Sequence, residues 1–371
     1  MVHGPCKMRA MAYPVRYTRT SDGVNIAYTQ LGAGEPVVAV PAIPWANFSV
    51  MFSNPHSARH PEELAQFARL LVYDTRGCGL SDHAVEDFTL DGFGLDIDAV
   101  ASAAGLAGPF TLYAMGDGCR PAIHYAATRP DRVSRLILWL PSVSPERLRA
   151  DQVMRAIGGL AYREWETFVR TLSHAVVGGW DLERAPFASA FADLMRGGIR
   201  PAEFAAFVTG MRQHDVSAAL ERVEAPTLVL TREEAAVYTV ERVREVAAGI
   251  PGAELVCPPG NWLMPCTNDD ITREIARFMG VETAISDSEE SPITRTLSNS
   301  MPGHGRLSLR EWEVVELVAR GRTNAEIAAE LSVSHATASR HVHNILTKLD
   351  MARRSELAAY AALSGRLPPG H

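Results

Sequence analysis

Residues Tyr113–Pro130 read YAMGDGCRPAIHYAATRP, and the way this stretch changes character decides the fold. It begins inside a short apolar run, Phe110-Thr-Leu-Tyr-Ala-Met115, with the composition of a strand. Gly116-Asp-Gly118 supplies a tight turn. An Ala-rich helix follows as far as Thr128, and Pro130 marks its end. A continuously apolar strand that runs through a glycine turn into a helix is the repeating unit of a mostly parallel sheet covered on both faces.

Working outward, the same alternation extends from Val15 to about Gly280. Further strands are expected at Gly23–Tyr28, Pro36–Val40, Leu70–Asp74, Val133–Trp139, Pro226–Leu230 and Ala253–Cys257. Between Ser142 and roughly Ala225 the strands stop, and apolar and aromatic residues recur at helical spacing. Two stretches anchor the register: Asp74-Thr-Arg-Gly-Cys-Gly-Leu-Ser-Asp82 and Arg129-Pro-Asp-Arg-Val-Ser-Arg-Leu-Ile-Leu138. Together with the strand, turn and helix at 110–130, they resemble the α/β-hydrolase family over about 250 residues. The resemblance implies an α/β-hydrolase fold over residues 15–280, with a mostly parallel sheet, helices on both faces and a helical cap at about 142–225.

The family mounts its nucleophile in a G-x-S-x-G turn. Counting back fourteen residues from Pro130 places that position at Gly116. The acid position, after the seventh strand of the family, falls on Ala235, and the histidine position falls on Asn261. Where the family often has His-Gly after its third strand, this chain has Pro41-Ala-Ile-Pro-Trp45. Glycine offers no oxygen or sulfur for acyl transfer, and asparagine takes no proton near neutral pH. The expectation is a hydrolase body without a working triad, not an enzyme. The alternative is an active hydrolase with Asp117 as nucleophile, which puts the larger Met115 and Cys119 beside a tight turn. His83, His124, His174 and His214 read as surface or packing residues, and Cys119 as a packed thiol. A ligand pocket is expected around Trp45, Phe48, Met115, Gly116, Asp117, Asn261 and Trp262, at the carboxyl ends of the strands.

The chain's 371 residues suit one large domain and a small one, and a net charge of -7 argues against nonspecific coating of nucleic acid. The five cysteines are scattered and contain no C-x-x-C pair, so neither a disulfide framework nor a metal site is expected, in keeping with a cytoplasmic location. No cofactor is implied. No apolar run approaches membrane-spanning length. Residues 1–14 read as a loose leader, and the polar, Ser-rich residues 281–306 as a flexible linker.

From residue 307 the helical period returns. Val314, Val315, Leu317 and Val318 form one apolar stripe, and Ile327, Ala328 and Leu331 a second. Ala338, Val342, Ile345 and Leu349 form a third. Thr323 or Asn324 caps the second helix and Ser334 the third, and all three are also read as DNA-binding. The outward residues of the third helix are His335, Thr337, Ser339, Arg340, His341, His343, Asn344 and Lys348, with no acid among them. Leu307-Ser-Leu-Arg-Glu311, Asn324-Ala-Glu-Ile-Ala328 and Ile345-Leu-Thr-Lys-Leu349 resemble the LuxR-type helix-turn-helix throughout residues 307–371. Family members often carry Val-Lys at Ala338-Ser339. The resemblance implies a small all-α domain whose third helix reads double-stranded DNA in the major groove, and pairing of two chains through the last helix, Ser355–Leu363. The whole then reads as a transcription regulator whose hydrolase-like body senses a small molecule or mediates oligomerisation.

Overall fold

A computed structural model describes residues 13–145, 157–177, 184–235, 237–261, 263, 269–281, 307, 309–331, 333–349, 351 and 353–363. The sheet has eight strands: β1 (Arg16–Arg19), β2 (Asn25–Leu31), β3 (Glu35–Val40), β4 (Ala68–Tyr73), β5 (Phe110–Met115), β6 (Val133–Trp139), β7 (Thr227–Leu230) and β8 (Glu254–Val256). Their order is β1-β2-β4-β3-β5-β6-β7-β8. β1 and β2 pair antiparallel, as do β2 and β4, and every later pairing is parallel. The order reverses between β3 and β5, so the crevice beyond their carboxyl ends is the natural ligand position in such a sheet.

Although the strands read as continuous apolar runs, their side chains divide between two cores. Val38, Leu112, Ala114, Leu136, Leu138 and Val229 pack on one face. Val37, Tyr113, Ile137, Trp139, Leu228 and Leu230 pack on the other. Helices cover both: α1 (Phe48–Ser53), α2 (Pro55–Leu64), α3 (Leu90–Ala103) and α4 (Cys119–Thr128), then α5 (Trp165–Val176), α6 (Ala185–Gly198) and α7 (Pro201–Gly210) in the insertion, then α8 (Val240–Gly249) and α9 (Asp269–Phe278). The insertion is helical as expected. Its base is tied by the Val216 amide donating to the Val143 carbonyl at 2.9 Å.

The loop after β4 shows why its residue pattern is needed. The buried Asp74 carboxylate accepts from the amides of Phe48 and Leu80, both at 2.8 Å. Arg76, fully buried, pairs with Asp96 at 2.9 Å and with Asp22 at 2.9 Å. A Cβ on Gly79, whose φ is +56°, would fall on the Asp74 carboxylate. Asp82 accepts from the Asn25 amide at 2.8 Å, joining the loop to β2.

A third core belongs to the C-terminal helices α10 (Leu309–Ala319), α11 (Asn324–Glu330), α12 (His335–Lys348) and α13 (Arg354–Leu363). The three apolar stripes read from the sequence face it, with Leu331 at its margin. Trp312 stacks on Tyr360 at 5.2 Å and 15°. Residues 1–12 of the expected leader and 282–306 of the expected linker lie outside the described residues.

Candidate ligand cavity and nucleic-acid interface

At the end of β5 the chain makes the tight turn that a nucleophile would occupy. Gly116 has φ +53°, in the left-handed region where glycine is unstrained. A Cβ there would lie 3.3 Å from the Tyr238 hydroxyl, so the space above the turn is taken by a side chain from the loop after β7. Gly118 is needed for another reason: a Cβ on it would lie 2.1 Å from the Pro41 carbonyl oxygen. Asp117 accepts from Arg120 Nη1 at 2.9 Å and, more weakly, from the Tyr238 hydroxyl at 3.4 Å. Arg120 Nη1 also donates to Ser142 at 2.8 Å. Asp117 is thus charge-compensated by Arg120 in the first turn of α4. Cys119 is fully buried with its thiol directed to the Trp139 carbonyl, and burial pushes that thiol well up from its ordinary range, which keeps it protonated.

Neither Ala235 nor Asn261, where the acid and the histidine were expected, lines the cavity at the turn. Ala235 lies buried in the loop after β7. Asn261, expected at the ligand pocket, does not line it; its side-chain oxygen accepts from Arg184 Nη1 of the cap region at 3.1 Å, which turns it to a structural task. Histidines that a relocated base would require are engaged elsewhere. His83 bonds Glu203 and the Gly79 carbonyl, and His124 bonds Asp91. His214 donates to the Phe88 carbonyl at 2.6 Å, and burial lowers its pKa to about 4.

Sequence reasoning passed over His60, on α2, because it sits in a polar helical run with nothing to distinguish it. It lines the cavity, yet Nε2 is 2.9 Å from the Tyr113 hydroxyl and Nδ1 3.2 Å from Thr272. Burial lowers its pKa to about 3. With both ring nitrogens occupied it holds α2 to the sheet as a neutral imidazole. Among the described residues no group of three or more His, Cys, Asp or Glu side chains is placed to hold a metal.

The cavity itself has a volume of about 560 Å³ and opens at the β3–β5 reversal, between the strand ends and the cap. Trp45, Phe48, Met115, Gly116 and Asp117 line it; Trp262 lies outside the described residues. The cap contributes Phe168, Leu172, Phe191 and Phe204. Trp45 stacks on Phe204 at 5.7 Å and 17°, so the wall is made by rings from both sides of the crevice. The polar groups Asp117, Arg120 and Tyr238 stand together at the turn. The arrangement can enclose an apolar molecule and orient one polar end of it.

In the C-terminal domain Thr323 caps α11 through a reciprocal capping box with Glu326, and Ser334 caps α12 by accepting from the Thr337 amide at 3.1 Å. His335, Arg340, His343, Asn344 and Lys348 are exposed on α12, while Thr337, Ser339 and His341 are half-buried. Three residues read as DNA-facing also have partners within the domain. The Asn324 side chain donates to Ser339 at 3.1 Å and accepts from Arg354 at 2.8 Å, linking α11, α12 and α13. Lys348 pairs with Glu311 at 2.9 Å. Arg340, His343 and Asn344 remain the exposed polar groups of the central turns.

Residues 306–361 match the family described as bacterial regulatory proteins of the luxR family. The transcriptional regulatory protein LiaR of Bacillus subtilis is 37% identical over 81 residues, which is 22% of this chain and 38% of that protein. The oxygen regulatory protein NreC of Staphylococcus aureus is 30% identical over 138 residues, 37% of this chain and 62% of that protein. The chain thus spans less than two thirds of either relative. Among solved structures, an esterase from Thermogutta terrifontis superposes with a TM-score of 0.60 at 22% identity, covering 72% of this chain and 98% of that one. A bromoperoxidase from Bacillus anthracis gives 0.61 at 18% identity, covering 72% and 100%. These likenesses show the fold of the body. The chain therefore joins an α/β-hydrolase-fold body to a LuxR-type helix-turn-helix domain.

Proposed function

We propose that the protein is a DNA-binding transcription regulator whose catalytically inactive hydrolase-fold body senses a small, largely apolar molecule. It acts as a homodimer in the cytoplasm, since twofold proteins read half-sites about one helical turn apart. The observation that carries the inactive body is the turn at Gly116, where no reactive atom is present and the Tyr238 hydroxyl fills the space above the backbone. Asp117 in the alternative role of nucleophile is disfavoured by its ion pair with Arg120. The cavity persists without the chemistry, as a receptor site would.

Activated esters and epoxides test the first half: no turnover and no covalent adduct are expected, and turnover abolished by Asp117→Ala would overturn the reading. Footprinting on DNA from the protein's own regulatory region tests the second. Arg340→Ala is expected to weaken binding by about 1–3 kcal/mol for a bidentate base contact. Wild-type affinity in that variant would remove Arg340 from the interface.

A further inference from the structure

Helix α5 has two working faces. Phe168, Leu172 and Val176, one turn apart along it, line the cavity. Arg170 is two residues from both Phe168 and Leu172, which at about 100° per residue puts it on the opposite side. On that outer side α5 packs against α13 of the C-terminal domain. Arg353 Nη1 donates to Glu164 Oε2 at 2.8 Å, and the Ser355 hydroxyl reaches the same oxygen at 3.4 Å. Arg170 Nη1 is 3.8 Å from Glu356 Oε1, a carboxylate whose side chain is 1% exposed. A carboxylate so far removed from water is held where cations face it. The exposed residues of α12, Arg340 and His343 among them, stay open while this contact is made.

We infer that the outer face of α5 is the docking surface for the DNA-reading domain of the same chain, and that filling the cavity alters this docking because one helix forms both the cavity wall and the dock. The second half rests on the reading of the cavity as a ligand site. A guest that displaces Phe168 or Leu172 moves α5 against α13, since a packed helix shifts as a body. The consequence for DNA is positional: the recognition face is not covered or uncovered, but its distance and angle from the body, and so from a second chain, are reset.

The full-length chain with Glu164→Cys and Arg353→Cys, in a background of Cys6→Ser, Cys257→Ser and Cys266→Ser, is treated with a short bismaleimide. A cross-link within one chain is expected. Its absence, or cross-links exclusively between two chains, would overturn docking in the same chain. Amide exchange provides a second reading without new cysteines: Glu164→Lys is expected to speed exchange across residues 353–361 by about threefold or more, as loss of a partly exposed ion pair and its replacement by repulsion allows, and adding Arg353→Glu to restore it. No change in the single variant, or no restoration in the double, counts against the ion pair as part of the dock. Cavity occupancy is mimicked by Leu172→Trp, and by Val176→Phe in case the larger residue prevents folding. Faster exchange at 353–361 is expected in a folded variant, and unchanged exchange there with altered exchange in α5 would defeat the coupling. DNA retardation is measured in parallel, so that loss of DNA binding with intact cross-linking condemns the regulator reading and leaves the docking standing.

Discussion

At Gly118 the clash that a side chain would meet is backbone against backbone. The Pro41 carbonyl oxygen would be 2.1 Å from a Cβ, and no rotamer change relieves that contact. Gly118→Ala is therefore expected to destabilise the body by about 3 kcal/mol or more, at the upper end of overpacking costs. Gly105→Ala, at φ +72° with open space around it, should cost only about 1 kcal/mol of backbone strain. Thermal denaturation of the two variants checks the difference, and equal losses would mean that the β3 loop moves aside. The two buried histidines give a pH dependence. His60 and His214 hold pKa values of about 3 and about 4, against about 6.5 in the unfolded chain. The unfolded state thus binds more protons below pH 6.5, so their contribution is complete above that pH and is lost as the pH falls toward 4. Between pH 7 and pH 5 the two together should remove about 4 kcal/mol of stability, and His60→Gln should reduce that fall to about 2 kcal/mol. Asp74 and Asp96, whose pKa values burial raises to about 7, act in the opposite sense over the same range, so the His60 share is read as the difference between the urea unfolding of the native protein and of His60→Gln at the two pH values. At this scale the sequence discloses an absence more readily than its replacement: Gly116 is legible as a turn residue without a reactive side chain, whereas the Tyr238 hydroxyl above it arrives from a loop more than a hundred residues later.

Elements with a strong local signal were legible to the residue. β5 and β6 span the runs 110–115 and 133–139, which are largely buried and apolar and are bounded by the turn at Gly116 and by Pro130-Asp-Arg132. β1, Arg16-Tyr-Thr-Arg19, was not read, since an exposed edge strand carries no apolar run and exists through its pairing with β2. The helix-turn-helix stripes were legible for the same reason as β5. What spacing does not give is which outward donors are consumed inside the domain. Asn324 and Ser339 bond each other across α11 and α12, and Lys348 reaches Glu311 thirty-seven positions earlier. Thr323 is a cleaner test of an element, because its capping box satisfies amides at the start of α11 that otherwise have none. Thr323→Ala should cost the C-terminal domain about 1 kcal/mol, seen as a lower melting point of that domain with the body unchanged. No loss would mean that packing against α12 and α13 alone sets α11.

For the whole molecule, the decisive fact is that the third core is closed. Every residue of it lies between Leu307 and Ala361, and its described contacts with the body include the packing of α13 on α5 and the ion pairs between them. Of the two ion pairs, Arg353–Glu164 is partly exposed and worth about 0–1 kcal/mol, and Arg170–Glu356, with its carboxylate buried, is long at 3.8 Å; without a shared apolar core the two units are expected to unfold separately. Heating should then give two transitions. At roughly 0.7 kcal/mol per residue, the small domain should unfold with about 40 kcal/mol and the body with nearly 190 kcal/mol, so calorimetry separates them by enthalpy even where the temperatures lie close. Tryptophan assigns them. Of the six in the chain, Trp312 alone belongs to the C-terminal core, where it stacks on Tyr360. Trp312→Phe should remove the low-enthalpy transition from the fluorescence trace while calorimetry still records it, shifted downward. A single transition of the full enthalpy in both measurements would mean that the dock on α5 binds the two units far more tightly than its ion pairs account for.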